Sequence, residues 1–190
     1  MRYRDRTDAG RHLAERLAHY RERPGVLVLG LPRGGVVVAY EVARALKAPL
    51  DVLVVRKLGV PGQEELAMGA IATGGLRVLN PAVVDLWGIP ETVIEEVTEQ
   101  ERLEIERRER VYRGSRPPPV IAGRSVIVVD DGIATGSTMR AAVAALRTGR
   151  PARVVAAAPA AAPQAVELLA HEADEVVCDF TPEPFYSVGM

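Results

Sequence analysis

The stretch VIVVDDGIATGST, residues Val126–Thr138, decides the fold class of this chain. Its four leading apolar residues form a continuous run, which is typical of a strand buried on both faces of a sheet. Two aspartates follow the run directly, and an apolar pattern with helical spacing begins at Ser137. The stretch therefore predicts a strand, a short loop with two adjacent carboxylates, and the first turn of a helix.

The same alternation continues on both sides of this stretch. Similar short apolar runs predict further strands over 25–31, 50–57, 152–159 and 174–180. Helices are predicted over 7–21, 35–48, 137–149 and 163–173. Strands that alternate with helices indicate βαβ units. We therefore expect a three-layer α/β/α fold with a mostly parallel sheet of five to six strands.

The middle of the chain does not follow this alternation of strands and helices. We expect residues 61–119 to form an insertion within one domain that covers 1–190, rather than a second domain. The insertion contains a predicted hairpin around Thr73-Gly74-Gly75 and a charged helix over 91–113. Glutamates precede arginines by four residues within this helix, as in Glu104–Arg108 and Glu106–Arg110. The helix is interpreted as a solvated cover for one side of the domain, or as a dimer contact.

The composition excludes several classes of protein. A hydrophobic content of 48% is that of a globular chain and not of a disordered one. The 24 basic and 25 acidic residues give a net charge of −1, which disfavours a general nucleic-acid binder. The single cysteine, Cys178, excludes an internal disulfide and a multi-cysteine metal site. No apolar run is long enough for a signal peptide or a membrane span, so we expect a cytoplasmic protein.

The loop after the two aspartates has the chemistry of a phosphate site. Small residues before a helix let its unpaired N–H groups approach a phosphate closely. The loop has no lysine, unlike a Walker A loop, and it has Ala134 where the dinucleotide fingerprint needs glycine. Carboxylates suit instead the hydroxyls of a sugar or a hydrated Mg²⁺. A phosphate beside a diol describes a sugar phosphate.

These residues resemble the phosphoribosyl diphosphate (PRPP) binding motif of type I phosphoribosyltransferases. The resemblance implies that Asp130 and Asp131 contact the ribose hydroxyls and act in catalysis. It also implies that the 5′-phosphate is bound by Ala134, Thr135, Gly136, Ser137 and Thr138. The motif departs from the family at Gly132, where many members have a hydrophobic residue. An ordinary strand-turn-helix with solvated aspartates is the simpler alternative.

Two other loops support the resemblance. LPRGG, Leu31–Gly35, follows the first strand, and the family has its diphosphate loop there, often with a non-proline cis peptide. RKLGVPG, which begins at Arg56, contains one of the two lysines of the chain. The resemblance implies that the diphosphate is bound by Arg33, Gly34, Gly35, Arg56 and Lys57, and that Lys57 is also catalytic. Ordinary turns and solvated charges remain the alternative for both loops.

The resemblance further implies the type I phosphoribosyltransferase fold with a small hood, and an activity. The chain would transfer 5-phosphoribosyl from PRPP to a nitrogen acceptor, expected to be a nucleobase. Mg²⁺ would be held mainly by PRPP, with Asp130 and Asp131 as candidate ligands. We expect a lid at Gly59–Glu65, a homodimer, and part of the hood in residues 180–190. Phe185 or Tyr186 would stack on the acceptor, or pack the tail onto the core.

Two other functions are considered. The first is a regulator that retains the PRPP pocket and binds nucleic acid through an arginine face. That face would comprise Arg107, Arg108, Arg110, Arg113 and Arg116. The second is a receiver-like or phosphatase-like protein in which an aspartate is phosphorylated. That reading leaves the ATGST segment of the loop without a role.

Overall fold

The computed structural model describes residues 3–183 and 185. The strands of this part of the chain are Val26–Gly30 (β1), Leu50–Val52 (β2), Val55–Val60 (β3), Gln63–Ala72 (β4), Leu76–Leu79 (β5), Ser125–Val129 (β6), Arg153–Ala160 (β7) and Glu175–Phe180 (β8). The α-helices are Arg6–Arg16 (α1), Gly34–Leu46 (α2), Pro81–Leu86 (α3), Glu91–Arg113 (α4), Ser137–Thr148 (α5) and Pro163–Ala170 (α6). None of the helices in the described part is long and apolar enough to cross a bilayer.

A five-stranded sheet with the order β2-β1-β6-β7-β8 forms the centre of the protein. Every neighbouring pair in it is parallel, which confirms the predicted sheet. All five residues of β1 are buried, as its continuous apolar run predicts. Because the strands are parallel, the loops that follow β1 and β6 leave the same edge of the sheet.

Helices cover both faces of this sheet. Side chains alternate along each strand, so Val28 packs towards α1 and α2 while Leu29 packs towards α5 and α6. The two cores extend across β6 and β7 with the same alternation. This arrangement confirms the predicted three layers.

The structure corrects the single strand predicted over 50–57. β2 ends at Val52, and the N–H of Leu53 donates to the carbonyl of Gly30 at 3.0 Å. The N–H of Val54 then donates to Oγ1 of Thr73 at 2.9 Å, so the chain has joined a second sheet. Leu53 and Val54 are buried in two different cores. The apolar run is therefore continuous, and no polar residue marks the crossing between the sheets.

The second sheet is antiparallel, in the order β3-β4-β5. β4 and β5 form the hairpin predicted around Thr73–Gly75, and Gly74 and Gly75 supply its positive φ angles of 78° and 73°. Pro61 and Gly62 form the tight turn between β3 and β4. The segment Gly59–Glu65, predicted as a lid, is therefore the tip of a β-hairpin. Its closing motion stays a prediction.

Helix α4 packs on this second sheet through Ile94 and Ile105, and its bounds are those predicted. One of its predicted ion pairs is present, between Glu104 and Arg108 at 2.7 Å. The predicted pair of Glu106 with Arg110 is wrong, because Glu106 bonds Arg102 in the preceding turn instead. The six-residue helix α3 was not predicted, since it buries no residue and is too short to show a period.

Candidate functional site

The loops that follow β1 and β6 lie side by side. Gly30 and Val129 are register partners at the ends of these strands, and the N–H of Leu31 donates to the carbonyl of Val129 at 2.9 Å. The predicted diphosphate loop and the predicted ribose carboxylates therefore start from adjacent points. This juxtaposition follows from parallel pairing, which brings carboxyl ends of neighbouring strands to one edge.

The two glycines of the first loop allow its close approach to the carboxylates. A Cβ at Gly35 would lie 2.6 Å from the carbonyl oxygen of Val129 and 2.9 Å from Cα of Asp130. A Cβ at Gly34 would overlap the carboxylate of Asp131. The peptide between Pro32 and Arg33 is cis, and the Arg33 side chain is exposed. Within the described residues Arg33 makes no ion pair, so its guanidinium is available to an anion.

The loop after the aspartates is fixed at both ends and exposed between them. Ile133 is buried, and its N–H donates to the carbonyl of Ala160 at 2.9 Å, which attaches the loop to β7. Gly136, with a φ of 79°, precedes the first turn of α5. Ala134, Thr135 and Thr138 are exposed, and Ser137 is half-buried. The hydroxyls and N–H groups of this turn are thus accessible to a phosphate, except the N–H of Ser137, which donates to Oγ1 of Thr135 at 3.3 Å.

The acidic pair is electrostatically strained. Asp130 is half-buried, and its Oδ1 accepts a hydrogen bond from the N–H of Asp131 at 2.8 Å. Burial raises the pKa of Asp130 to about 7, and the adjacent charge of Asp131 contributes to the same shift against that hydrogen bond. A bound cation or hydroxyl donor would relieve this strain.

We expect Asp130→Asn to gain stability relative to the wild type as the pH rises. An unfolded aspartate titrates near pH ~4, so the folded protein retains a proton at Asp130 that the unfolded chain loses between about pH 4 and 7. The stabilising contribution of this group is therefore complete below about pH 4 and is lost as the pH approaches 7. Asparagine stays neutral, so the difference should grow by a few kcal/mol, since a pKa raised from about 4 to about 7 corresponds to at most about 4 kcal/mol.

Urea unfolding at a series of pH values measures this difference. Asp85→Asn, at an exposed position on α3, is the matched control and should show a gap that does not change with pH. A gap between Asp130→Asn and wild type that is equally independent of pH would contradict the expectation.

Arg6 also lies at the site, although nothing in the sequence indicates its partner there. Its Nε donates to Oδ2 of Asp131 at 2.8 Å, although the two residues are 125 positions apart. Nearby, the hydroxyl of Tyr3 donates to Oδ2 of Asp179 at 2.7 Å, and its oxygen lies 3.1 Å from the carbonyl oxygen of Pro159. The segment before and at the start of α1 therefore extends across the edge from β6 to β8. The arginine-rich N-terminus was the one local signal, and it does not identify a partner.

Arg56 and Lys57 are not where the sequence placed them. They belong to β3 of the second sheet, where successive side chains point to opposite faces. Arg56 donates to Glu101 of α4 at 2.6 Å, and this contact raises the pKa of Arg56. Lys57 is exposed. The structure therefore does not present the two cations together at the end of a parallel strand, and their contact with a diphosphate stays a prediction.

The predicted acceptor residues lie after β8. Phe185 is partly buried and packs against the core on the α5 and α6 face of the sheet. Tyr186 lies outside the described residues, as does most of the predicted hood segment beyond residue 183. Packing of the tail onto the core is thus observed for Phe185, and its contact with an acceptor stays a prediction.

Comparison with known proteins gives one family. A family model described as the phosphoribosyl transferase domain matches residues 3–184. Two Mycobacterium tuberculosis proteins, from strains H37Rv and CDC 1551, are each 50% identical to the chain over 186 residues, and their names describe them as provisional phosphoribosyl transferases. The matches cover 98% of this chain but 42% of each relative. The chain thus spans less than half the length of these curated relatives.

Solved structures agree with the fold. The protein TT1426 from Thermus thermophilus superposes with a TM-score of 0.88 at 46% identity, over 100% of this chain and 89% of that chain. An APRTase from Giardia lamblia, complexed with 9-deazaadenine, superposes with a TM-score of 0.54 at 14% identity. That alignment covers 93% of this chain and 79% of the other. At this low identity the second likeness shows a common fold alone.

Proposed function

Because the chain belongs to the phosphoribosyl transferase domain family, we propose that it transfers the 5-phosphoribosyl group of PRPP to a nitrogen acceptor with release of diphosphate. One observation carries the proposal: the acidic pair, the loop 134–138 and the Arg33 loop meet at one edge of the sheet. Their chemistry corresponds to the ribose hydroxyls, the 5′-phosphate and the diphosphate, respectively.

The reaction exchanges one bond at C1 of the ribose. The C1–O bond breaks and its electron pair leaves with the diphosphate, while the lone pair of the acceptor nitrogen forms the C1–N bond. The proton of that nitrogen passes to solvent. Positive charge develops on the ribose ring in the transition state, and the carboxylates of Asp130 and Asp131 stabilise it from fixed positions. The tip of the β3–β4 hairpin excludes water, which would otherwise hydrolyse PRPP.

Mg²⁺ fits the acidic pair. Carboxylate oxygens are ligands that this ion prefers, and positive charge would favour the ionised form of Asp130. No cluster of three or more metal-ligating side chains occurs among residues 3–183 and 185. We therefore propose that PRPP oxygens and water supply most of its ligands, with Asp130 and Asp131 completing them. When bound, the ion neutralises negative charge on the departing diphosphate.

The acceptor would approach from the β7 and β8 side of the edge. Displacement in line requires the nitrogen to lie opposite the departing diphosphate, and the Arg33 loop follows β1 on the other side of the acidic pair. Tyr3 and Arg6 line the β7 and β8 side through their bonds to Asp179 and Asp131. A nucleobase, which is flat and rich in hydrogen-bonding groups, suits such a surface.

The rival function is a regulator that senses PRPP and binds nucleic acid. Within the predicted arginine face, the Arg113 guanidinium is buried and bonds Asp51 and Glu109. It is therefore not available to a nucleic-acid phosphate, which weakens that face as a binding surface. The geometry therefore favours the enzyme.

One assay separates the two functions. PRPP and Mg²⁺ are incubated with a panel of nucleobases, and release of diphosphate is followed. Release that depends on one base supports the enzyme and identifies its acceptor. PRPP binding by calorimetry, without release for any base, would favour the regulator. Absence of PRPP binding would contradict both.

We expect Asp131→Asn to weaken PRPP binding about 10-fold, because a hydrogen bond to a charged group is worth about 1.5–3 kcal/mol. Isothermal titration calorimetry with PRPP and Mg²⁺ measures the change. Asp85→Asn removes an exposed carboxylate away from the site and should bind as the wild type does. Equal affinities for Asp131→Asn and the wild type would rule out the ribose role of Asp131.

A further inference from the structure

A cavity of about 400 Å³ lies beside the Arg33 loop and extends to Thr138 at the start of α5. Its walls come from the loop after β1, the chain after β2, the C-terminal half of α4, and the start of α5. The polar residues of its lining are Arg33, Arg107, Arg108, Tyr112 and Thr138. Neither Arg56 nor Lys57, the cations that the sequence suggested for the diphosphate, is among these residues.

The charged groups of this cavity are all cationic. Arg33 projects from the loop, and Arg107 and Arg108 project from α4. The two α4 guanidinium groups bond one carboxylate, that of Glu104, at 2.8 Å and 2.7 Å. Three guanidinium groups thus stand against one carboxylate, which leaves the cavity with a net positive charge. An anion with several oxygens is the ligand that this arrangement fits.

The arginines of α4 are held by a rigid support. The buried guanidinium of Arg113 donates to Asp51 at 3.0 Å and to the carbonyl of Val52 at 3.0 Å, which fastens the end of α4 to β2. Earlier in the helix, Arg56 bonds Glu101 and fastens α4 to β3. Glu104 in turn orients Arg107 and Arg108. The helix that carries these cations is therefore fastened to both sheets.

The order of the strands gives the direction in which PRPP would lie. Along the edge, the chain after β2 comes first, then the Arg33 loop at β1, the acidic pair at β6, and the Tyr3 segment at β7 and β8. The cavity lies at the first two of these and also touches the phosphate loop at Thr138. With the ribose at the acidic pair, a diphosphate that passes the Arg33 loop would continue into the cavity. Its terminal phosphate would then approach α4.

We propose that Arg107 and Arg108 of α4 bind the terminal phosphate of the PRPP diphosphate, opposite Arg33. This inference rests on the proposed function for the identity of the ligand. It gives α4 a part in holding the leaving group, in addition to covering the second sheet. The sequence does not reveal this anion-binding role of Arg107 and Arg108. Their i,i+3 and i,i+4 pairs with Glu104 are typical of a solvated helix surface.

The test compares three ligands on three proteins. Calorimetry in the presence of Mg²⁺ measures PRPP, inorganic diphosphate and ribose 5-phosphate with the wild type, with Arg107→Gln/Arg108→Gln, and with Arg110→Gln. Arg110 is exposed on the same helix and does not line the cavity, so its variant is the matched control. The double variant should bind PRPP and diphosphate at least about 10-fold more weakly, since it loses charge-assisted hydrogen bonds. Ribose 5-phosphate, which has no diphosphate, should bind it as it binds the wild type.

The outcomes separate this inference from the proposed function. Unchanged diphosphate and PRPP affinities in the double variant would overturn the role of α4 and leave the function standing. An equal loss for ribose 5-phosphate would also overturn it, because the effect would then not be specific to the diphosphate. A wild type that binds diphosphate but neither PRPP nor ribose 5-phosphate would refute the proposed function. Weaker diphosphate binding by the double variant would in that case still support the α4 anion site.

Discussion

Replacing Gly34 with alanine is expected to lower the affinity for PRPP about 10-fold or more, because it displaces the Asp131 carboxylate, and a hydrogen bond to a charged group is worth about 1.5–3 kcal/mol. The added Cβ would overlap the Asp131 carboxylate and lie 2.8 Å from Nε of Arg6. Both contacts are the ends of side chains, so Asp131 moves while the backbone stays in place. Folding stability should therefore change little.

Calorimetry with PRPP and a thermal unfolding curve measure the two effects separately. Gly35→Ala provides a contrast, because its Cβ would meet backbone atoms of Val129 and Asp130 and should lower both stability and affinity. Gly149→Ala, at the C-terminal end of α5, is the control, and its PRPP affinity should match the wild type. A Gly34→Ala protein with normal affinity would show that Asp131 is not positioned by this close approach.

Replacing Arg113 with alanine is expected to destabilise the fold by about 3–5 kcal/mol, the usual cost of removing one partner from a buried ion pair. The Arg113 side chain is 3% exposed and lies between two carboxylates, Asp51 at 3.0 Å and Glu109 at 3.5 Å. Oε1 of Glu109 already has no hydrogen-bond partner among the described residues. Alanine would leave both carboxylates and the carbonyl of Val52 without their cation.

Urea unfolding measures this loss. Arg110→Ala removes an exposed arginine from the same helix and should change the free energy of unfolding by less than about 0.5 kcal/mol. The large difference between the two variants follows from burial, since both lose the same side chain. A loss below about 1 kcal/mol for Arg113→Ala would show that the ion pair contributes no more than a surface pair does.

Much of the fold is predictable because its signals are local. The apolar runs that become β1, β6, β7 and β8 are short, and β-branched residues mark them as strands rather than helices. The prediction of a single strand over 50–57 was wrong, because residues buried in two different cores show the same apolar pattern as residues buried in one. The pattern of apolar residues indicates that a segment is buried, but it does not indicate in which sheet the segment lies.

Part of the candidate site is predictable for the same reason. The acidic pair, the phosphate loop and the Arg33 loop each consist of a few consecutive residues, so their chemistry can be recognised from the sequence. Arg6 escaped prediction because its partner Asp131 is distant in the chain. Arg107 and Arg108 escaped prediction because their bonds to Glu104 are those of any charged helix.

The sequence by itself determined the α/β class, the parallel sheet and the loops that carry anion-binding chemistry, since each depends on neighbouring residues. Only the tertiary structure decided which cations lie beside those loops. Parallel pairing of β1 with β6 set Gly34 against Asp131, and packing of α1 brought Arg6 to the same carboxylate. Docking of α4 through Arg113 placed Arg107 and Arg108 on the cavity beside Arg33, while the crossing after β2 moved Arg56 and Lys57 to another sheet. Contacts between distant segments depend on how whole elements pack, and that information is not contained in any local stretch.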